Sequence, residues 1–481
     1  MLHGVVPTPT EDPPATATPA PGAEGVGGLL ARAHLPFVLA TVAMVTTSAF
    51  ADRAVSTVLP TVVRELEGLP WFGAASAAPL ISYLVATALA GVWTDRRGPA
   101  APLRLGIVTF ALASAASGLA PGMVPFVLAR VVGGLAEGML DVSLTVLVAL
   151  ALPARLRPRM FAAISTAWIL PSLVGPGVAG LVTSAVGWRW VFLLPLILLR
   201  PAVVALRTPL RGAGSHSRSV TQQGGGGESA TVRGAVLAAG ALAVVTAVGP
   251  LAGRPGLVAP LAAAAVIVLG SVAALVALRS VVPPGTARLA AGVPALVALS
   301  GVLFASFGTA GAFIPLMLTT LRGTGPALSG VSLSVTGAFW SLGSWVQSLD
   351  PVQRRTSAVA LLRVGFSLVA LGILGPLLLA LSAMPIVWGM ALWALAATGT
   401  GICFPTLATT TLALSAQDAL GRVSAARALA MSVAQGIVLA AAGALLAFRA
   451  DDLTGGVFAA VTLVALFLAV AGALASGRVC A

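Results

Sequence analysis

The sequence predicts an all-α transmembrane protein with fourteen spans, arranged as two six-helix bundles with two extra central helices between them. Of its 481 residues, 58% are hydrophobic and only 9% are charged, which is too little charge to cover a soluble protein of this length. Apolar runs of roughly 20 residues, the length that crosses a hydrocarbon core, recur from residue 36 almost to the end. They are rich in Ala, Leu, Val and Gly, as in helices that pack through small residues, and they do not show the short alternating segments of a β-barrel.

The first six predicted spans are separated by clear turn or charge signals, and the seventh and eighth are Ala-rich. The fourteen spans are placed at 36–60, 71–94, 102–121, 124–151, 159–183, 188–206, 234–252, 256–279, 292–318, 327–348, 357–380, 384–412, 423–447 and 454–476. The chain is therefore divided into a tail (1–34), an N-terminal bundle (35–207), a Gly-rich flexible cytoplasmic loop (208–232), two additional helices (233–280) and a C-terminal bundle (281–481).

The last six spans repeat features of the first six in the same order. Three local matches carry the repeat: Pro60 with Pro315, Gly91-Val92-Trp93 with Gly343-Ser344-Trp345, and Glu137-Gly138 with Thr400-Gly401. Repeated halves are typical of membrane transporters, so the repeat favours transport as the function.

The basic residues indicate the orientation. All 27 are Arg, and with the N-terminus inside, the outer loops hold only Arg64, Arg189, Arg254, Arg322 and Arg449. This asymmetry follows the positive-inside rule, so the net charge of +13 predicts an orientation and not nucleic-acid binding. We expect both termini in the cytoplasm and the protein in the inner (plasma) membrane.

The remaining composition argues against covalent chemistry. Residues 1–30 carry three acids and no basic residue, so we expect a disordered cytoplasmic tail and no signal peptide. Two cysteines, Cys403 and Cys480, predict neither a disulfide framework nor a metal site, and the three histidines lie outside the spans. With no P-loop either, we expect no enzyme activity, no cofactor and no direct use of ATP.

The loop after span two reads Gly91-Val92-Trp93-Thr94-Asp95-Arg96-Arg97-Gly98. Gly91 would allow a close helix approach, Asp95 would cap or pair with a neighbouring helix end, and Arg96 would join the inner helix ends. The order resembles the signature G-x-x-x-D-R-x-G-[RK]-[RK] of the major facilitator superfamily, although Pro99 and Ala100 replace its final basic pair. The alternative is an ordinary positive loop.

Span four carries three charges in an apolar run. Arg130, Glu137 and Asp141 fall within about 60° of one another on a helix, and a charge near the bilayer midplane needs a wet cavity or a partner. Arg130 with Gly133-Gly134 resembles the superfamily's span-four motif, which is associated with proton coupling in drug:proton antiporters; Glu137 and Asp141 depart from it. They are predicted to bind the proton or a cationic substrate, and the alternative is a structural ion pair.

In span one, Asp52-Arg53 is followed by Leu59-Pro60, which resembles the span-one pattern of the same antiporters. Asp52 is predicted to bind a proton or a cation. The alternative is that its charge is neutralised by Arg53, or by Arg130 across the bundle.

Span five contains Gly175-Pro176-Gly177 and Gly180, a partial match to the exporters' antiporter motif G-P-x-x-G-G. Gly and Pro bend a helix and let it press against the opposite bundle, although both are also common in membrane helices. Two tryptophans after this span, Trp188 and Trp190, are interpreted as interface anchors. The phenylalanines of span nine are interpreted as packing residues: Phe304, Phe307 and Phe313.

The resemblance covers nearly the whole chain and is strongest over residues 45–192. It points to the fourteen-span drug:proton antiporter group, and it implies the major facilitator fold and alternating access about a central cavity. The hypothesis is proton-coupled efflux of a small amphipathic molecule or drug by a monomer whose partners are that substrate, protons and the bilayer. Because the C-terminal half shows no comparable buried acid, the protonatable groups are predicted to lie in spans one and four.

Two alternatives remain open. The first is a facilitator or importer of a metabolite, in which Glu137 and Asp141 are structural. The second is a lipid-handling or sensory membrane protein that uses the fold without turnover.

Overall fold

The computed structural model describes residues 34–153, 156–200, 227–252, 258–415, 420–449 and 453–480, which are almost entirely helical. The long helices are α1 (Leu35–Glu65), α2 (Phe72–Arg97), α3 (Ala100–Gly118), α4 (Met123–Ala151), α5 (Arg157–Val186), α6 (189–200), α7 (Gly227–Ala247), α8 (Val258–Arg279), α9 (Val293–Arg322), α10 (Pro326–Ser348), α11 (Ala358–Ala380), α12 (Ile386–Ala413), α13 (Leu420–Phe448) and α14 (Gly455–Ala475).

Within the described ranges, eleven of these helices are long and apolar enough to cross a membrane. The chain is therefore an all-α, multi-pass membrane protein. The exceptions are α6, α7 and α10, so the count of fourteen spans stays a prediction. The predicted tail and most of the predicted loop lie outside the described residues, but α7 begins at Gly227, so residues 227–232 are helical where a loop was expected.

Glycine and proline set several helix ends. Gly98 ends α2 with φ 75°, a left-handed conformation that costs a glycine little, and its N–H bonds back to the carbonyl of Thr94 at 2.8 Å. Pro326 occupies the first turn of α10, where a missing N–H is harmless. The interior of α9 departs from α geometry in a π-helical segment, Phe304–Gly308.

Two bundles form from these helices. In the first, α1 packs on α5, and α4 packs on α2 and α3; in the second, α11 packs on α12 and α14, and α9 packs on α13. The bundles meet along two seams, α5 with α10 and α2 with α13. The pair α7 and α8 packs together, with α7 against α2 and α13, so these two helices lie beside one seam.

The ends of the helices that carry the Arg-rich connections are called the inner side here, following the predicted orientation. Close contacts between the bundles occur toward the outer side. Gly73 near the start of α2 faces Gly443 in α13, so closely that a Cβ at position 73 would lie 2.8 Å from the Gly443 Cα. In the other seam, a Cβ at Gly180 would lie 2.5 Å from the Pro326 carbonyl oxygen. Such close approach requires glycine at these positions.

Candidate functional site

The acidic side chains of the first bundle gather where α1, α2 and α4 come together. Asp52 lies on α1, and the side chains of Asp141 and Glu137 lie one turn apart on α4. The charges of Asp52, Asp141 and Arg130 all act on Glu137. The group therefore spans two helices of the first bundle, α1 and α4.

Asp52 is weakly paired. Its Oδ2 lies 4.0 Å from Nε of Arg53, and the two side chains are 40% and 43% exposed. An exposed pair at that distance contributes little, so Arg53 does not hold the Asp52 carboxylate firmly. The guanidinium of Arg53 instead lies over the ring of Trp168 on α5, 5.9 Å from its centroid.

Asp141 has a specific partner that sequence reasoning missed. The hydroxyl of Tyr83 on α2 donates a 2.7 Å hydrogen bond to its Oδ2. The Asp141 side chain is otherwise exposed. Tyr83 is the single tyrosine among 481 residues, a compositional signal that could have drawn attention to it.

Arg130 and Glu137 line a small cavity inside the first bundle. Its volume is about 20 Å³, enough for one water molecule. Serines from α3 and aromatic rings complete the lining: Ser114, Ser117, Phe110 and Phe192. Only 7% of Arg130 is exposed, and its Nε is buried without a hydrogen-bond partner. The cavity thus brings an unsatisfied cation and an acid to one polar chamber.

The predicted shared face of α4 is therefore divided. Arg130 and Glu137 face the cavity beside α3, whereas Asp141 turns to Tyr83 on α2, because a face about 60° wide meets two neighbouring helices. The alternative of a structural ion pair finds no contact to support it: among the described residues, no carboxylate lies within 4.0 Å of Arg130.

The predicted loop signature, residues 91–98, covers the last turns of α2 and the glycine that ends it. Arg96 is exposed at the inner end of α2, and Gly98 is the glycine that ends this helix. A Cβ at Gly91 would meet nothing within 4 Å, so the close helix approach expected there is absent from this structure. Asp95 lies in the last turn of α2, but its side chain lies outside the described set, and the gating role of the loop stays a prediction.

The Gly-Pro segment of α5 also contacts two different neighbours, α10 of the opposite bundle and α1 of its own. Pro176 and Gly180 lie at the seam, with the carbonyl oxygen of Pro176 against Gly330 of α10. Gly175 packs instead against Phe50 of its own bundle. The predicted contact of this helix with the opposite bundle is present at two of the three positions.

One aromatic interpretation, that of Trp188, needs correction. Trp188 is not an interface anchor: it is 1% exposed, lies edge-on to Phe126 and Phe192, and donates from Nε1 to Oε2 of Glu65 at 2.8 Å. Trp190 is 50% exposed, as an anchor requires. The phenylalanines of α9 pack as expected: Phe307 and Phe313 are buried, and the partly exposed Phe304 packs against the core and the rings of Trp340 and Phe404.

Sequence reasoning also missed Arg427 of α13. A basic residue inside an apolar run is a functional-site candidate by default, and that rule would have found it.

Comparison with known proteins places these features in context. A family model described as Major Facilitator Superfamily matches residues 41–368. An uncharacterized transporter of Schizosaccharomyces pombe is 26% identical over 152 residues, which cover 31% of this chain and 25% of that protein. An MFS-type transporter of the acurin A biosynthesis cluster of Aspergillus aculeatus is 28% identical over 157 residues, covering 33% and 28%. The alignments thus span about a quarter of the length of these curated relatives.

The fold has solved counterparts over nearly its full length. The crystal structure of a POT family transporter in complex with a thioalcohol conjugated peptide covers 91% of this chain and 94% of its own, with a TM-score of 0.63 and 15% identity. At that identity the likeness concerns the fold alone.

Proposed function

The chain belongs to the Major Facilitator Superfamily, and on that premise we propose that it exports a small amphipathic molecule from the cell in exchange for protons. The transporter would act in the plasma membrane with both termini in the cytoplasm, as the Arg distribution indicates. It would cycle by alternating access, in which the two bundles rock about a central cavity. Relatives named as transporters support the general activity.

One observation carries the proton coupling. Three carboxylates of the first bundle, Asp52, Glu137 and Asp141, lie close enough to influence one another electrostatically, and none of them has an ion-pair partner closer than 4.0 Å among the described residues. Removal of a carboxylate from water favours its neutral form, whereas a nearby guanidinium favours its charged form. A carboxylate that is partly removed from water and lies near a guanidinium therefore gains or loses its charge when its exposure to water changes.

The mechanism follows from that balance. A proton that enters from the outer side neutralises a carboxylate of this group and weakens its hold on a bound substrate. When the inner side opens, the carboxylate loses the proton to the less acidic cytoplasm and is ready for the next substrate. The cavity between Arg130 and Glu137 is large enough for a water molecule that would carry the proton to Glu137.

The Gly-lined seams supply the moving surfaces. Contact of α5 with α10 and of α2 with α13 closes the outer side, so the structure supports an assignment to the inward-facing half of the cycle. In this scheme α7 and α8 lie beside the α2–α13 seam and are not part of the transport path. The fourteen-span count and the division into two six-helix bundles belong to the same proposal.

The test uses inverted membrane vesicles with an imposed pH gradient. Both movement of a probe and dissipation of the gradient are read, with ethidium as a cationic probe and 1-naphthalenesulfonate as an anionic one. Wild-type protein is expected to move at least one probe with loss of the gradient, and Glu137→Gln to lose the coupling. Glu65→Gln is the matched control, because Glu65 lies at the outer end of α1 with Trp188 and Arg189.

Undiminished proton-driven transport by Glu137→Gln would remove Glu137 from the scheme. Probe movement that persists after a proton uncoupler is added would instead favour a facilitator. Absence of any movement in a broad probe panel, together with a stable protein partner, would favour a non-transporting membrane protein.

A further inference from the structure

Arg427 is a partly buried cation in the second bundle. Its Nε donates a 3.0 Å hydrogen bond to Oγ of Ser300 on α9, and its guanidinium lies 4.9 Å from the ring centroid of Phe404 on α12. The second terminal nitrogen is buried and has no hydrogen-bond partner. Among the described residues, no carboxylate lies within ion-pair distance of it. The charge of Arg427 is therefore not neutralised by the side chains described around it.

An aromatic wall stands beside this cation. The rings of Phe304, Trp340 and Phe404 contact one another, with centroid separations of 6.3, 5.9 and 5.8 Å. All three rings are partly exposed. They come from α9, α10 and α12, and Arg427 comes from α13. Four helices therefore contribute side chains to this one place.

The backbone is irregular at the same place. Phe304 begins the π-helical segment of α9, and π-segments inside α-helices are often found at functional sites. Gly308 closes the segment, and a Cβ there would lie 2.6 Å from Nε2 of Gln435. Gln435 stands eight residues beyond Arg427 on α13, about 12 Å along the helix. Its partly exposed amide offers a second polar group at the other end of the aromatic wall.

We propose that Arg427 and the aromatic wall of Phe304, Trp340 and Phe404 bind a flat aromatic anion, which names the substrate class of the exporter proposed above and so rests on that function. An unpaired charge inside a membrane protein is costly unless it meets an opposite charge during function. Arginine suits this task because its planar group binds carboxylate or sulfonate through two parallel hydrogen bonds and stacks on aromatic rings.

A structural role for Arg427 fits less well. A guanidinium that only ties helices together is expected to have its donors satisfied, because buried polar groups are nearly always hydrogen-bonded. Here a single hydroxyl accepts from Nε, and a terminal nitrogen remains without an acceptor beside exposed aromatic surface. The ligand anion supplies the missing acceptor, and the rings cover its apolar body.

The charge pattern also divides the two bundles by task. The first bundle holds the carboxylates and the second holds Arg427, so Arg427 would bind the anionic group of the substrate, while the carboxylates would bind the proton or a cationic group of the same substrate. Rocking of the bundles would then bring the two sites together and apart. A substrate that also carries an amine would contact both.

The experiment measures equilibrium binding to purified full-length protein with no pH gradient. Quenching of tryptophan fluorescence is followed with 1-naphthalenesulfonate, with the neutral isostere 1-naphthalenesulfonamide and with the cation 1-naphthylmethylammonium. The sulfonate is expected to bind about tenfold more tightly than the sulfonamide, the range of a hydrogen bond to a charged group. Arg427→Gln is expected to abolish that difference and to leave sulfonamide binding within about twofold.

Two further variants sharpen the readout. Arg478→Gln, the same change at an exposed arginine, is expected to bind all three probes as the wild type does. Trp340→Phe, which leaves a smaller ring in the aromatic wall, is expected to weaken the binding and to lose most of the quenching, which would place the ligand beside that ring. Sulfonate preference that persists in Arg427→Gln, or quenching that persists in Trp340→Phe, would overturn the proposal.

An anionic lipid head group has the same chemistry, so a second arm separates the two sources. The binding is repeated in nanodiscs of phosphatidylcholine with and without phosphatidylglycerol. Sulfonate binding is expected to be equal in both, and competition by phosphatidylglycerol would overturn the proposal in favour of lipid. Glu137→Gln is expected to bind sulfonate normally, so failure of the proton-coupled function and failure of this site would be seen in different measurements.

Discussion

The hydroxyl of Tyr83 on α2 donates a 2.7 Å hydrogen bond to Oδ2 of Asp141 on α4. These two helices are also packed together along much of their length, with Gly134 and Gly138 against α2. The Asp141 carboxylate is otherwise exposed. The bond therefore fixes it to α2, the helix against which α4 packs most tightly in the first bundle. It holds the Asp141 carboxylate in one orientation while leaving its second oxygen open to a proton or a ligand.

Tyr83→Phe is expected to reduce proton-driven transport several-fold without unfolding the protein. The substitution keeps the ring and removes only the donor, and a hydrogen bond to a charged group contributes about 1.5–3 kcal/mol at most, less where the group is exposed. Transport in inverted vesicles and thermal unfolding in detergent provide the two measurements. Unchanged transport would show that the orientation of Asp141 is not used, and an equal loss in folded yield would point to a structural role for the bond.

Arg130→Met is expected to leave the thermal stability unchanged or to raise it, while proton-coupled transport is lost. Arg130 is buried with an unsatisfied Nε, so its removal relieves a desolvation cost and breaks no ion pair seen among the described residues. Thermal unfolding of the purified variant checks the first part, and dissipation of an imposed pH gradient checks the second. Destabilisation by about 3–5 kcal/mol, the cost of breaking a buried pair, would restore the structural ion-pair interpretation.

A cross-link between α5 and α10 is expected to stop transport reversibly. The N–H of Gly177 donates to Oγ of Ser334 at 3.2 Å, and a Cβ at Gly177 would lie 3.4 Å from that oxygen, which suits a disulfide between cysteines at the two positions. The double variant Gly177→Cys with Ser334→Cys is made in a background in which Cys403 and Cys480 are replaced by Ala.

Oxidation of this double variant should abolish vesicle transport, and a reductant should restore it, because the bundles must separate at this seam for the outer side to open. Each single variant serves as the control and should respond to neither reagent. Full transport by the cross-linked protein would mean that the α5–α10 seam does not move.

Gly399→Ala is expected to destabilise the second bundle by about 1–3 kcal/mol, the usual cost of overpacking. Its new Cβ would meet the carbonyl oxygen of Gly365 and lie 2.9 Å from Cβ of Leu368, across the contact of α12 with α11. Gly240→Ala is the control, because a Cβ there meets nothing within 4 Å and alanine is the better helix former. The difference in stability between the two variants is measured on heating, as the rate at which the buried thiol of Cys403 becomes reactive. Equal rates for the two variants would contradict the packing seen here.

Much of this protein could be predicted from its sequence because the relevant properties are local. Hydropathy over about 20 residues decides whether a segment enters a membrane as a helix, and arginine placement decides which side its ends prefer. The order D-R-x-G after the second span was sufficient to indicate the superfamily, which the family match confirms. The acids of α1 and α4 were found in the same way, because a charge in an apolar run is visible without a structure.

The remainder depended on which helices are neighbours, and a one-dimensional pattern does not contain that information. Helical geometry placed Asp141 with Arg130, but the adjacency of α2 turned it to Tyr83. From the sequence, Trp188 is interpreted as an interface anchor. In the structure, the packing of α4 against the segment after α5 buries it between Phe126 and Phe192.

Arg427 shows the division most clearly. The sequence by itself determined that a charge stands inside an apolar helix of a membrane protein. Only the tertiary structure decided that it lies over the ring of Phe404, which contacts rings from two further helices, because contacts between residues on different helices arise from helix packing and not from the order of residues along any one helix.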